Sequence, residues 1–366
     1  MLAEPNGKSP GARCLADDAY AALERGEVDA AIRLLQRARA LDARDPLIHY
    51  RLGLAYSDAQ RPREALAAYD AALALAPDHA RAHNNRGSCL ELLGRTVEAE
   101  QAFRAALKHD PRLAQPYLNL GHLLEARGAA SAAVTLYADA LALGLDRDLF
   151  SHHLAAATGT TTARAGDAWV RSTFDNFAPG FDARLAGLGY DVPARLATLV
   201  TRNAARTLDI LDLGCGTGLL AAAPGAARHH LTGVDLSEKM LQRARARGAY
   251  ARLDCAEVHA WLAATPVAAF DAVVAADLFI YIGALEKAFA GIAKVMRAGA
   301  LFAFSVEQCS AGDYVLQASG RFAQSRDYLA RLAVRDFDVV TDQATDLRSE
   351  NGAPVAGRIL VLARRA

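Results

Sequence analysis

The sequence predicts two domains of different class: an all-α array of paired helices in the first part, then an open α/β domain with a mostly parallel sheet. Three observations carry this reading. Residue types fall into register every 34 positions from about residue 12 to 147. An apolar run, Leu208-Asp-Ile-Leu-Asp-Leu213, leads directly into the glycine turn Gly214-Cys-Gly-Thr-Gly218. Further strand-length apolar runs follow, including His230–Asp235 and Leu301–Val306, with helix-length segments between them.

The repeat is visible in several series at once. Gly53, Gly87 and Gly121 share one interval, with Ala19 in the same place one period earlier. Ala31, Ala65, Ala99 and Ala133 form a second series, and Ala38, Ala72, Ala106 and Ala140 a third. Leu35, Tyr69, Phe103 and Tyr137 form a fourth, and Pro77 and Pro111 a fifth. Small residues let paired helices approach, the large one fills the space between them, and proline stops the second helix of each unit. Four units fit, at about 12–45, 46–79, 80–113 and 114–147. Gln60 stands where the other units carry Gly26, Gly94 and Gly128 between their helices, and Pro62 sits in the first turn of a helix, where it is tolerated.

The series resembles the tetratricopeptide repeat, a family of solenoids that bind extended peptides or protein partners along a concave face. The resemblance implies a lining that includes Tyr20, Leu23, Tyr50, Leu54, Arg81, Asn84, Ser88, Glu91, His122 and Glu125, a mixed surface without a cluster of Lys and Arg. A peptide or protein partner in that groove is the expectation; packing of the array into a homodimer is the alternative. Residues 1–11 read as a disordered N-terminus, 12–147 as the repeats, and 148–166 as a capping helix and linker ending in the polar, turn-prone Gly159-Thr-Thr-Thr162.

Composition limits the function classes. The chain of 366 residues carries 41 Lys+Arg and 41 Asp+Glu, and no stretch has the length and apolarity of a membrane span. Residues 1–150 hold 18 basic and 20 acidic side chains, leaving 23 and 21 for the rest, so neither part has the positive excess that phosphate backbones demand. Neither nucleic acid nor membrane is an expected partner. Cysteines 14, 89, 215, 255 and 309 are scattered without metal-ligand spacing, which points to buried thiols in a cytoplasmic protein and to no metal.

In the second part, a strand ending in glycines is how a buried parallel sheet delivers a ligand to its carboxyl end. A dinucleotide fingerprint needs a small residue where this chain has Leu219, and Asp212 at the strand tip suits a cation better than a pyrophosphate. The stretch 208–218 resembles motif I of the class I S-adenosylmethionine-dependent methyltransferases, and Gly233-Val-Asp235-Leu-Ser237 resembles their second motif. With the repeats ahead of it, the chain resembles a bacterial group of tetratricopeptide-containing methyltransferases. The resemblance implies a Rossmann-like fold with a seven-stranded sheet, a helical cap at 167–206 and a core at 207–366, with S-adenosyl-L-methionine as methyl donor.

It also implies site residues. Asp212, Gly214, Gly216 and Gly218 belong to motif I, and Asp235 takes the role of binding both ribose hydroxyls. Leu236 and Met240 are near enough in sequence to flank an adenine. Past the third strand, Leu253–Ala256, two acids compete for the adenine amino group; the wider pattern favours Glu257, with Ala256 beside it, and leaves Asp254 to solvent. Asp277 and Tyr281 follow the fourth strand and are placed beside the reacting groups as cofactor and catalytic candidates. The exit from that strand lacks the Asn-Pro-Pro-aromatic sequence used on amide and exocyclic amino nitrogens.

On the substrate side, the cap contributes Phe181 and Tyr190, and the segment after the fifth strand contributes Arg321 and Gln324, the latter where the group tends to carry histidine. A general base is required only if the nucleophile starts protonated, and then Asp277, Tyr281, His259 or Glu307 is the candidate. Strands at 337–348 and 355–364 around Asn351-Gly352 read as a closing hairpin. Methyl transfer to an acceptor, a peptide or protein recruited by the array, is the expected function. A small-molecule methyltransferase whose repeats dimerise and a non-catalytic relic are the alternatives, with a nucleotide-binding oxidoreductase disfavoured.

Overall fold

In the computed structural model the described residues are 9–178, 180–350 and 352–366, and they divide into two compact units at Phe150/Ser151. Asn351 of the expected turn lies outside the described residues, as do residues 1–8 of the N-terminal segment.

The first unit is a succession of helix pairs. Its helices are α1 (Pro10–Glu24), α2 (Val28–Leu41), α3 (Pro46–Asp58), α4 (Pro62–Leu75), α5 (Ala80–Leu92), α6 (Thr96–His109), α7 (Ala114–Ala126) and α8 (Ala130–Ala142). Pro10 and Gly11, expected to be disordered, are helical, because Pro10 occupies the first turn and the Ser9 hydroxyl accepts the Ala12 amide. Helix α9 (Arg147–Thr158) follows, and Phe150 at its start is fully buried against Tyr117 and Tyr137.

Each helix pair is joined by the same turn. The amides of Gly26 and Glu27 end on the carbonyls of Leu23 and Ala22, and the Gly94/Arg95 and Gly128/Ala129 pairs repeat this in their own units. Such a C-terminal cap needs a left-handed residue, and these glycines have φ of 77°, 74° and 75°. Gln60 adopts φ 60° to make the same two bonds, from Gln60 to Ser57 and from Arg61 to Tyr56. Here the hydrogen-bond pattern overrides the side chain's steric preference.

The 34-residue glycine series has a direct steric cause. A Cβ on Gly53 would stand 2.4 Å from the Tyr69 ring, on Gly87 2.5 Å from Phe103, and on Gly121 2.2 Å from the Tyr137 hydroxyl. Each glycine receives the ring of its own unit's second helix. In the first unit, where the small residue is Ala19, the partner is the smaller Leu35, and both are fully buried.

The second unit is an α/β sheet domain. Its helices α10 (Asp167–Phe177), α11 (Phe181–Gly187) and α12 (Val192–Thr201) precede β1 (Asp209–Leu213), β2 (His230–Asp235), α13 (Glu238–Arg247), β3 (Tyr250–Cys255), α14 (Val258–Ala264) and β4 (Phe270–Ala275). Then come α15 (Glu286–Val295), β5 (Met296–Gln308), β6 (Tyr314–Leu316), β7 (Phe322–Gln324), α16 (Arg326–Ala333) and the hairpin β8 (Phe337–Glu350) and β9 (Ala353–Arg364). Strands β3, β2, β1, β4 and β5 are parallel neighbours in that order. Strand β9 runs antiparallel to β5 from Leu301↔Ala363 to Glu307↔Gly357, and β8 completes that edge.

Side chains alternate between two cores. Ile210, Val274, Ala303 and Val361 pack on one face with Val192, Leu196 and Val200 of α12. Leu211, Val273, Phe302, Phe304 and Leu362 pack on the other with Phe289 and Ile292 of α15. With both faces covered, the central strands read as continuous apolar runs rather than alternating ones.

The sheet has nine strands, not the seven expected. Strand β4 leaves β5 at Ala275↔Phe304, while β5 continues to Gln308. The vacated edge is taken by β7, through Glu307↔Ala323 and Gln308↔Gln324, and β6 pairs with β7. Strand β5 also begins earlier than expected, absorbing Arg297-Ala-Gly299.

The glycine and ring pairs make a testable demand on the array. Gly87→Ala is expected to lower stability by about 1–3 kcal/mol, the usual cost of overpacking a core. Adding Phe103→Leu, which copies the Ala19–Leu35 pair, should recover part of that loss. Urea unfolding of the single and double variants measures both, and a neutral Gly87→Ala would contradict this packing.

Candidate functional site

The chain passes from β1 out to β3 and then returns to β4 on the other side of β1, which opens a crevice at the strands' carboxyl ends. A cavity of about 380 Å³ lies there, within the size range of small-molecule sites. Its lining joins the glycine turn, the ends of β2, β3 and β4, and the helical segment 164–193.

The turn is pinned to β2. The amides of Gly214 and Cys215 both end on the Val234 carbonyl, and the Gly216 amide donates to Asp235 Oδ2 at 2.9 Å. Asp235 Oδ1 accepts the Ser237 amide at 2.8 Å, so the carboxylate is oriented by the two loops it joins. Burial raises its pKa, against the lowering effect of those amides.

Asp212 is the more strained acid. It is only 2% exposed, it lines the cavity, and the Tyr250 hydroxyl donates to its Oδ2 at 2.6 Å. Burial pushes its pKa up to about 7, opposed by the Tyr250 bond and assisted by the neighbouring Asp235. A buried carboxylate whose hydrogen-bond partner is a neutral phenol favours a cationic ligand group.

At the far end stands Asp277, the residue after the β4 exit turn that adopts φ 53°. Positive φ is costly for a non-glycine residue and is held here by surrounding bonds. Its amide donates to Ser305 Oγ, the Ser305 hydroxyl donates back to Oδ1 at 2.8 Å, and Arg348 Nη1 donates to Oδ2 at 3.0 Å. Tyr190 supports the same carboxylate, whose pKa burial raises and Arg348 lowers. Tyr281 lines the cavity beside it with its hydroxyl free of hydrogen-bond partners among the described residues, and burial keeps that phenol neutral.

The cap is tied down by polar contacts around an apolar interior. Arg164 donates to Glu257 at 2.9 Å, the Ser237 hydroxyl to Asp175, and the Thr217 hydroxyl and Arg247 to Asp182. Phe174 meets Tyr281 edge-on at 5.2 Å and Phe181 at 6.1 Å.

Of the residues expected from sequence, Asp212, Gly214, Gly216, Asp235, Leu236, Ala256, Glu257, Asp277, Tyr281, Phe181, Tyr190 and Arg321 all line this cavity. Three others are used differently. Gly218 does not line it; a Cβ there would come 2.9 Å from the Tyr250 ring, so this glycine makes room for the tyrosine that holds Asp212. Met240 is fully buried on α13, where its amide bonds the Ser237 cap, and it does not reach the cavity. Gln324 is fully buried in β7 and donates to the carbonyls of Phe279 and Ile282, clamping the turn that carries Tyr281 rather than facing a ligand.

The general-base candidates narrow in the same way. His259 Nδ1 is 2.7 Å from Glu257, and His259 does not line the cavity. Glu307 is buried between Arg348 and Arg321 and does not line it either. Asp254, expected in solvent, accepts the Trp261 indole N–H at 2.7 Å. Glu257 also caps α14 through the Ala260 amide.

Sequence reasoning missed Arg348 and Glu350, which reach the cavity from β8, more than a hundred residues from the glycine turn. The buried arginine in an otherwise strand-like segment is the one signal that was available. No group of three or more His, Cys, Asp and Glu among the described residues is arranged to hold a metal ion, and no described helix is long and apolar enough to cross a membrane.

Known proteins match in two blocks. The family description "Methyltransferase domain" fits residues 210–299, and the tetratricopeptide repeat descriptions fit residues 19–60 and 50–114. Methyltransferase-like protein 27 of Homo sapiens is 37% identical over 107 residues, 28% of this chain and 43% of that one. Ubiquinone biosynthesis O-methyltransferase of Thiobacillus denitrificans is 29% identical over 147 residues, 39% of this chain and 61% of that one. The chain thus spans about half the length of these relatives. The solved 1,6-didemethyltoxoflavin-N1-methyltransferase of Burkholderia thailandensis is 20% identical, with 54% of this chain and 88% of that one covered at a TM-score of 0.44. The chain thus carries tetratricopeptide repeats within residues 19–114 and a methyltransferase domain over residues 210–299.

Proposed function

We propose that the protein binds S-adenosyl-L-methionine in the cavity at the carboxyl ends of β1, β2 and β4 and transfers its methyl group to an acceptor held under the cap. The observation that carries this reading is the buried Asp212 carboxylate, set beside a glycine turn whose backbone borders the cavity, with Asp235 and Glu257 lining the same cavity. Asp212 suits the ammonium of the donor's amino-acid end, and Asp235 suits a diol. Glu257, with Ala256 and Leu236, borders the place for a purine. When bound, the donor supplies a methyl group on a cationic sulfonium.

The chain's own residues then have defined tasks. Asp235 and the Val234 carbonyl fix the turn, so the site is formed before a ligand arrives. Phe174 and Phe181 cover the cavity and exclude water. Much of the acceleration in such a site comes from alignment. Where the nucleophile carries a proton, Asp277 is the carboxylate at the cavity able to receive it, since burial raises its proton affinity above that of an ordinary aspartate.

We propose further that the tetratricopeptide array recruits a peptide or protein to the enzyme, rather than serving only to dimerise it. The repeat family's general role in protein binding supports this reading, and the mixed charge of the series is compatible with a peptide that is not strongly acidic.

Three measurements test these statements. Calorimetry with S-adenosylhomocysteine should show binding, and Asp235→Ala should weaken it about 10–100-fold; a folded protein giving no heat overturns the methyltransferase reading. The same titration across pH tests Asp212. Because its folded pKa is raised to about 7, the proton must leave before a cation binds. Affinity should therefore fall roughly tenfold per pH unit below 7 and level off above it. The ligand-free protein has the opposite sign, losing Asp212's contribution to stability as pH rises from the ordinary carboxylate range, about 4, to 7. Asp212→Asn should flatten the affinity profile. Finally, removal of residues 1–147 should depress methylation of the physiological acceptor in a cell lysate while leaving S-adenosylhomocysteine binding intact. Full turnover by the truncated chain excludes recruitment.

A further inference from the structure

Asp277, Arg321, Arg348 and Glu350 line the cavity and, with the buried Glu307 behind them, join five charged groups in one network. Arg348 spends every side of its guanidinium on carboxylates: Nη1 on Asp277 at 3.0 Å, Nε on Glu350 at 2.7 Å, and Nη2 on Glu307. Arg321 lies between two of the same acids, with Nη2 donating to Glu350 at 2.6 Å and Nε 2.8 Å from Glu307 but outside hydrogen-bond geometry. Two guanidinium groups therefore face three carboxylates, and the network carries one net negative charge.

This arrangement determines what the wall can receive. An incoming carboxylate or phosphate would meet a network that already carries surplus negative charge, with every nitrogen of Arg348 already held by a carboxylate. It would also compete with Asp277 for Arg348, at the cost of leaving that acid unpaired. Among the polar groups left to meet a ligand are the Tyr281 hydroxyl, which has no hydrogen-bond partner among the described residues, and the lone pairs of Asp277 left over after Ser305 and Arg348. One is a neutral phenol and the other an acceptor. Phe174, packed against Tyr281, and Phe181 and Leu185 present apolar surface to the same cavity.

We infer that the acceptor pocket selects a non-anionic, hydrogen-bond-donating group, a hydroxyl or an amine, on an apolar body, and that Glu350 and Glu307 reject anionic acceptors by neutralising Arg348 and Arg321. The inference rests on the methyltransferase reading, because it assigns the wall to the acceptor rather than to the donor. Glu350 and Arg321 act here as specificity residues through the charge of the wall.

The test uses the full chain saturated with S-adenosylhomocysteine and three probes with one ring and different head groups: benzyl alcohol, benzylamine and benzoate. Saturation-transfer NMR at pH 7.5 suits such weak ligands. Benzyl alcohol and benzylammonium should bind, with benzoate at least about tenfold weaker, the order of effect expected of one unit charge near a protein surface. Glu350→Gln, which makes the network neutral, should narrow the gap between benzyl alcohol and benzoate, and Arg321→Met, which adds a net negative charge, should widen it. A purely structural role for either residue moves both probes together. The inference is overturned if benzoate binds as well as benzyl alcohol, if both variants shift the ratio in the same direction or leave it unchanged, or if none of the probes binds the loaded protein. Failure of S-adenosylhomocysteine itself to bind in calorimetry counts against the methyltransferase reading instead.

Discussion

Much of the second unit depends on three backbone amides and where they end. Gly214 and Cys215 share the Val234 carbonyl, and Gly216 ends on Asp235, so the turn after β1 is stitched to the tip of β2. Burying a turn leaves backbone donors that must find partners, and here the neighbouring strand supplies them. The consequence is that two acids from different strands point into one cavity at fixed positions. The parallel register of β1 with β2, Leu213 opposite Val234, sets that alignment.

The two ends of the cavity solve opposite electrostatic problems. Asp212 is buried with a phenol beside it, an incomplete arrangement that a cationic ligand completes. Asp277, Glu350 and the fully buried Glu307 are paired with two arginines, an arrangement already nearly complete in the chain itself. The first is suited to drawing in a charged ligand, the second to discriminating among uncharged or cationic ones. The strained backbone at Asp277 belongs to the second group, where Ser305 and Arg348 hold the residue in place from both sides.

What the sequence made legible follows from locality. The glycine turn, the acid at the end of β2 and the 34-residue period are each contained within a short stretch, and each has a single physical reason to exist. Proximity in sequence says nothing about which way a position faces: Gly218 accommodates Tyr250, and Met240 is fully buried on α13. Gln324 was taken for a ligand-facing residue because only the fold shows the two carbonyls it serves. The two additional strands depend on β5 outrunning β4, a difference in strand length that no local pattern encodes. Arg348 and Glu350 needed the whole sheet, since they reach the cavity from a strand paired only with β9.

The reciprocity between Gly53 and Tyr69, Gly87 and Phe103, and Gly121 and Tyr137 also constrains how such an array can change. A ring and its glycine form a lock whose two halves are sixteen residues apart, so neither can be exchanged alone without a clash or a void. The first unit, with Ala19 and Leu35, shows the other stable setting of that lock. Passage between the two settings requires two coordinated substitutions, and shuffling helices between units would have to move them as matched pairs.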